Sequence, residues 1–203
     1  NVKVSTMFQC MFHPFQGAQQ VRYYNNGSTV LATVLLAIYF ITSVCAEIYS
    51  GFMHSLLDKS TYSAGFTLIR SVGIVLLWTV VNWALSTLFQ GKGKMKHVYI
   101  VTCYALLPLI IGNICNLILT NVLTPEEALL ITAINTVCTA LAGIILCVGT
   151  MTVHEFGFFK FLVMTLVVLF GMMISIFVIL MVFVLIQQMI SFITTIYKEI
   201  SYR

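Results

Sequence analysis

Five runs of apolar residues, each long enough to cross the roughly 30 Å of hydrocarbon in a bilayer, leave this chain few folds to choose from. They cover Thr29 to Tyr49, Phe66 to Phe89, Val98 to Leu119, Ala128 to Met151 and Phe161 to Ile186. Backbone N–H and C=O groups in lipid must be satisfied inside the structure, and runs of this length, rich in Leu, Ile and Val, satisfy them as helices. Composition agrees. Of 203 residues, 60% are apolar and 8% charged, and the mean hydropathy is +1.03, whereas a soluble domain carries about 25% charged residues. The expected fold is all-α, a polytopic membrane bundle of five transmembrane helices with amphipathic segments at both ends. Gly65, Gly91, Gly93, Pro125 and Gly157 punctuate connections too short for an inserted soluble domain. Three parts are expected: a cytoplasmic lead-in over 1–28, a five-span domain over 29–186 and an outer amphipathic segment over 187–203.

Orientation follows from lysine and arginine placement, because cytoplasmic loops retain them during insertion. With the N-terminus inside, the inner side holds Lys3, Arg22, Lys92, Lys94, Lys96 and Lys160, and the outer side Lys59, Arg70, Lys198 and Arg203. The loop "QGKGKMKH" decides between the two orientations. Lys92, Lys94 and Lys96 share one short turn, while the next loop, "NVLTPEEA", carries Glu126 and Glu127. The N-terminus is therefore placed in the cytoplasm and the C-terminus outside. No cleavable signal is visible in the first ten residues, and the starting Asn1 suggests that a few native residues precede it.

Just before the first span stands "MFHPFQGAQQVRYYNNGST". Phe8, Met11, Phe12 and Phe15 recur at helical spacing, Pro14 stands where a helix can begin, and Asn25 to Gly27 is a turn signal. A short helix in the inner interface is expected, with its apolar stripe on acyl chains and Arg22 facing lipid phosphates.

Residues that could carry catalysis are sparse. Cys10, Cys45, Cys103, Cys115, Cys138 and Cys147 form no C-x-x-C pair, and within spans a thiol is a small hydrophobe. His13, His54, His97 and His154 fall in different connections without ligand spacing. His154-Glu155 does not continue as H-E-x-x-H, and adjacent residues on a helix point apart. The carboxylates are Glu47, Asp58, Glu126, Glu127, Glu155 and Glu199, so no pair of aspartates lies within spans. No P-loop or G-x-G-x-x-G is present. The chain is expected to be no enzyme and to need no cofactor or metal. Its net charge of +4 is a positive-inside signal, with no sign of nucleic-acid binding. No small-molecule substrate is identified.

Polar residues within the spans are more informative. Asn82, Asn113, Asn116 and Asn135 are candidates for interhelical hydrogen bonds or for lining a path. Asn113 and Asn116 share a helical face close after Pro108, whose ring removes a backbone donor and is expected to kink the third span. Thr139, Gly143 and Gly149, then Gly171 and Ser175, allow close helix packing. Glu47 near the outer end of the first span and Arg70 at similar depth in the second are expected to pair, since charges at that depth are costly alone. Beyond Gln187 and Gln188, an apolar stripe of Met189, Ile190, Phe192, Ile193, Ile196, Tyr197 and Ile200 reads as an amphipathic helix. It can lie on headgroups, continue the span as a rod, or dock a partner.

From "HPFQGAQQVRYYNNGS" onward the chain resembles the bacterial branch of the Yip family, five-span membrane proteins related to the Rab-GTPase-interacting proteins of eukaryotic secretory membranes. The resemblance rests on the His-Pro-aromatic-x-Gly element His13 to Gly17, the Gly-bearing basic loop leading into Tyr104 to Pro108, and the apolar-to-polar switch in "VLIQQMISFITTIYKEISYR". It implies five spans and a cytoplasmic N-terminus, in a bacterial cell membrane. The expected function is a non-enzymatic scaffold or accessory subunit of a larger membrane assembly, related to transport or trafficking. Its expected contacts are the bilayer and other membrane proteins such as a transporter complex, through Phe8, Phe12, Phe15, Phe192, Ile193 and Ile196. The alternative is a small transporter or an auxiliary subunit of an ATP-driven transporter.

Overall fold

The computed structural model describes residues 2–49, 63–123 and 127–201. His54, Asp58, Lys59, Pro125, Glu126 and Arg203 lie outside the described residues. Among the described residues every regular element is helical: α1 (Val2–Phe12), α2 (Pro14–Tyr23), α3 (Thr29–Ile48), α4 (Ala64–Leu68), a π-helical turn (Ile69–Gly73), α5 (Ile74–Leu88), α6 (Met95–Tyr104), α7 (Leu107–Val122), α8 (Ala128–His154) and α9 (Phe158–Ser201). Five stretches are long and apolar enough to cross a membrane: α3, α4 through α5, α6 through α7, α8, and α9. The fold is an all-α, multi-pass membrane bundle.

The third span lies at its centre. In α6 only Met95, Lys96 and Tyr99 escape full burial, and Val98, Ile100, Val101, Cys103 and Tyr104 form the core with Ala32, Leu35 and Leu36 of α3, Val75 of α5 and Val153 of α8. This span is two helices. Pro108 occupies the first turn of α7 and has no N–H to return to the preceding turn, so the chain breaks at Ala105 and Leu106 before resuming. α3 packs on α6 and α7, α7 on α8, and α5 on α6 and α9.

The lead-in contains two helices, where the sequence predicts one. The residue before a proline is pushed out of the α region, and His13 adopts φ −132° and ψ 72°, so α1 stops at Phe12 and α2 starts at Pro14. The two pack on each other and then on α8 and α6. Cys10, Ala18 and Val21 face the core, while Phe8, Phe12 and Phe15 face out. Gly17 makes the crossing possible: a Cβ there would sit 2.6 Å from the backbone N and Cα of Cys10.

At the other end of the chain, α9 runs unbroken through Gln187 and Gln188 to Ser201, so the 187–203 segment begins as a continuation of the fifth span. Gln is a good helix former, and no Gly or Pro interrupts the run after Gly171. Its first half packs on α5 through Met164, Val168 and Met172. From Ile176 to Glu199 every residue is exposed.

Candidate functional site

The richest polar constellation lies where α2, the α5–α6 connection and the α8–α9 turn meet. Glu155 ends α8 in the left-handed region, φ 55° and ψ 38°. This reversal sends its carboxylate outward toward α2, while the side chain of His154 turns into the bundle. Arg22 Nη2 lies 2.8 Å from Glu155 Oε1 and Lys92 Nζ 2.9 Å from Oε2. The Tyr23 hydroxyl also donates to Oε1. Arg22 Nη1 donates to the carbonyl of Thr152 at 3.0 Å, which also accepts the Glu155 N–H at the end of α8, and its guanidinium lies 5.0 Å over the Tyr23 ring. The lipid-facing role predicted for Arg22 is therefore corrected. Its side chain is 9% exposed, because the carboxylate of Glu155 offers it a partner within the protein.

This latch joins three parts of the chain that are far apart in sequence. The hydrogen bond from Tyr23, followed by the contacts of Lys92 and Arg22, holds the Glu155 carboxyl below the usual carboxylate range. The Tyr23 phenol is raised because its proton is given to that carboxylate. A depressed carboxyl stabilises the fold above its unfolded-state pKa and loses that contribution as pH falls through its folded value. The melting midpoint in detergent is expected to fall as the pH drops below the ordinary glutamate range, and Glu155→Gln to flatten that part of the profile. An unchanged profile in the variant would rule the latch out as the titrating element.

Beneath the latch is a buried pair. His154 Nε2 lies 3.1 Å from Asn82 Oδ1, which also accepts from Ser86 Oγ at 3.2 Å. An amide oxygen only accepts, so Nε2 carries the imidazole proton and Nδ1 is bare, buried and without a hydrogen-bond partner. The ring is clamped by backbone: a Cβ on Gly93 would lie 2.8 Å from Nδ1 and Cε1. Phe156 stacks on His154 at 5.4 Å between centroids, and Lys160 Nζ sits 4.7 Å over Phe156. A second His–Asn pair, His97 Nε2 to Asn25 Oδ1 at 3.1 Å, ties the Asn-Asn-Gly bend to α6. Asn25 is itself in the left-handed region, φ 50°.

The four asparagines do not converge on one path. Asn82 serves His154. Asn113 Nδ2 donates to Ser43 Oγ at 3.1 Å and reaches Thr42 Oγ1 at 3.5 Å, linking α7 to α3. Asn116 Oδ1 is buried with no hydrogen-bond partner. Asn135 lies near Gly112, on the α7–α8 face. Among the described residues, no group of three or more His, Cys, Asp or Glu could hold a metal ion.

Toward the opposite end, Arg70 donates to Glu47 Oε1 and Thr67 Oγ1 donates to Oε2 at 2.6 Å. Arg70 stands in the π-helical turn. Its side chain is 54% exposed and that of Glu47 17%, so solvent or headgroups screen the pair and its contribution is about 0.5 to 1 kcal/mol. Glu47→Gln should cost about that much, and a Glu47→Arg, Arg70→Glu swap should partly restore it. Strict additivity in that double-mutant cycle would mean no coupling.

The Yip1 domain family matches residues 8–181. The chain belongs to the Yip1 family. No curated protein and no solved structure matches it. Yip1 membership points to a multi-pass membrane protein involved in trafficking, in a family of non-enzymatic membrane proteins. The five spans imply contact with the bilayer, and the family suggests membrane-protein partners. The match contains the whole latch, Arg22, Tyr23, Lys92 and Glu155, and stops within α9 at Met181.

The sequence pattern gives no partner for Glu155, and none for Asn25 or for Tyr104, whose hydroxyl accepts the Ser28 N–H at 3.3 Å. One signal does point to Glu155 and its cations, Arg22 and Lys92. Glu155 is the lone carboxylate on the side otherwise assigned six lysines and arginines, and a single anion among cations attracts them.

Proposed function

We propose that this Yip1-family protein is a non-enzymatic scaffold or accessory subunit that holds a larger membrane assembly. The supporting observation is α9. Its 44 residues span about 66 Å, roughly twice the hydrocarbon thickness, and its length beyond Ser175 touches no other described helix closely enough to bury a residue. An apolar helix that leaves its own bundle serves lipid or another protein, and the portion past Gln188 extends beyond what lipid tails require. Phe192 and Ile193, 67% and 60% exposed, and Ile196 are the proposed contacts, with Phe8, Phe12 and Phe15 at the opposite end.

The test is to replace Phe192, Ile193 and Ile196 with Ser. Co-purifying membrane proteins should be lost in mild detergent while membrane insertion is retained. Retention of every partner by that variant would overturn the scaffold reading. The unpartnered Asn116 Oδ1 beside Asn113 favours the second reading, a small transporter or auxiliary transporter subunit. Solute flux in liposomes by the protein alone, abolished by Asn113→Ala and Asn116→Ala, would put that reading first.

The proposed orientation has the N-terminus in the cytoplasm of a bacterial cell and the C-terminus outside. In a background without native cysteines, a membrane-impermeant thiol reagent should label Glu127→Cys in intact cells and leave Lys94→Cys untouched; the reverse would invert the topology.

A further inference from the structure

A crevice opens between α2 and the α8–α9 turn, walled by Phe15, Tyr23, Glu155 and Phe156. Two cations, Arg22 and Lys92, sit on Glu155, and a third, Lys160, sits over the Phe156 ring. Lys92 and Lys160 thus each stand against a residue that walls the crevice, Lys92 on Glu155 and Lys160 on the Phe156 ring. Lys92 is 72% exposed at its side chain and uses one donor on Glu155; an ammonium has three. No carboxylate pairs with Lys160 among the described residues. Lys94 and Lys96, both exposed, extend the same positive surface.

The depth of the crevice is fixed by the fold. α5 and α8 end here, and α6 and α9 begin here, so it lies at the level where spans meet headgroups. Exposed aromatics mark that level too: Phe12 and Tyr24 on the lead-in, Phe158 and Phe159 at the start of α9, between 67% and 83% exposed. The carboxylate that walls the crevice, Glu155, already receives donors from Arg22, Tyr23 and Lys92, which disfavours an ammonium headgroup there. A phosphate finds Lys160, without a carboxylate partner among the described residues, and the remaining donors of Lys92.

We propose that this crevice binds the phosphate of an anionic phospholipid headgroup, with Lys92 and Lys160 as its donors and Phe15 and Tyr23 flanking the start of its acyl chains. Glu155 holds the cations in place when no lipid is seated and competes with the phosphate for them. This inference is independent of which protein partner α9 meets.

The full chain, reconstituted in nanodiscs of mixed phosphatidylglycerol and phosphatidylcholine, should retain phosphatidylglycerol preferentially when lipids still bound are counted by native mass spectrometry. Lys160→Gln, which leaves the latch intact, should reduce that preference about five-fold, and adding Lys92→Gln should reduce it about five-fold again. Lys198→Gln, on the far segment of α9, should leave it unchanged. Glu155→Gln gives opposite signs in two measurements: a lower melting midpoint, because the latch is weakened, with a stronger phosphatidylglycerol preference, because the competing anion is gone. A purely structural cluster would move the first and leave the second unchanged. An undiminished preference in the double lysine variant would overturn the proposal. So would inorganic phosphate raising the melting midpoint in detergent as much as phosphatidylglycerol does, which would make the site one for the free ion.

Discussion

Gly17→Val should pry α1 off α2 and expose the Cys10 thiol to alkylation. The two helices cross so closely that even a Cβ at residue 17 would stand 2.6 Å from the backbone N and Cα of Cys10. Backbone cannot rotate away as a long side chain can, so the helices must separate or shift along each other. Cys10 is 2% exposed, and burial pushes its thiol up to about 12, which leaves almost no thiolate at neutral pH. Release from the crossing restores both access and an ordinary pKa. Because a less basic thiolate is also a weaker nucleophile, the expected gain in alkylation rate at pH 7 is on the order of a hundred-fold, measured in a background lacking the other five cysteines. Gly143→Ala is the matched control, since a Cβ there meets nothing within 4 Å. A Cys10 that stays inert in Gly17→Val would show that the lead-in hairpin is not held by this contact.

The same crossing shows why the lead-in was only half legible. Helical spacing of Phe8, Met11, Phe12 and Phe15 identifies an apolar stripe, and Pro14 identifies a start. Nothing local says that Pro14 starts a second helix or that Gly17 lets the two cross; that depends on Cys10, Ala18 and Val21 meeting the core. The spans were legible because lipid imposes a length and a backbone rule that each segment satisfies alone. Glu47 and Arg70 were placed near each other by depth in adjacent spans, a one-dimensional argument, and the structure joins them. Arg22 and Glu155 lie 133 positions apart, and depth alone assigns both to one side without saying that they touch. The α6–α7 break was legible in Pro108, whose effect is covalent and local. The uninterrupted α9 lay between the readings, since Gln187 and Gln188 signal a change of environment and impose no change of conformation.

The second large effect is expected from Asn82→Leu. Asn82 is 5% exposed, His154 2% and Ser86 1%, and one amide oxygen accepts from both neighbours. Leucine is close in size and fills the space, so the loss is of hydrogen bonding with little cavity. It leaves the His154 Nε2–H and the Ser86 hydroxyl to find other acceptors, and Nδ1 of the same ring has no partner already. Interhelical hydrogen bonds in membranes average about 0.6 kcal/mol because a partly unfolded helix finds substitutes. His154 has fewer substitutes, being wedged between Gly93 and Phe156, so a cost of about 1 to 3 kcal/mol is expected, in the range for a buried donor left unpaired. The expected readout is a lower midpoint in detergent unfolding. Pairing the change with His154→Phe removes the orphaned imidazole, keeps a ring for Phe156 to stack on, and should recover part of the loss. Removing both partners costs less than removing one when the penalty is desolvation of the survivor. If the double variant is instead as unstable as the two single losses added together, the Asn82–His154 bond carries no coupling, and His154 is held by its ring contacts alone.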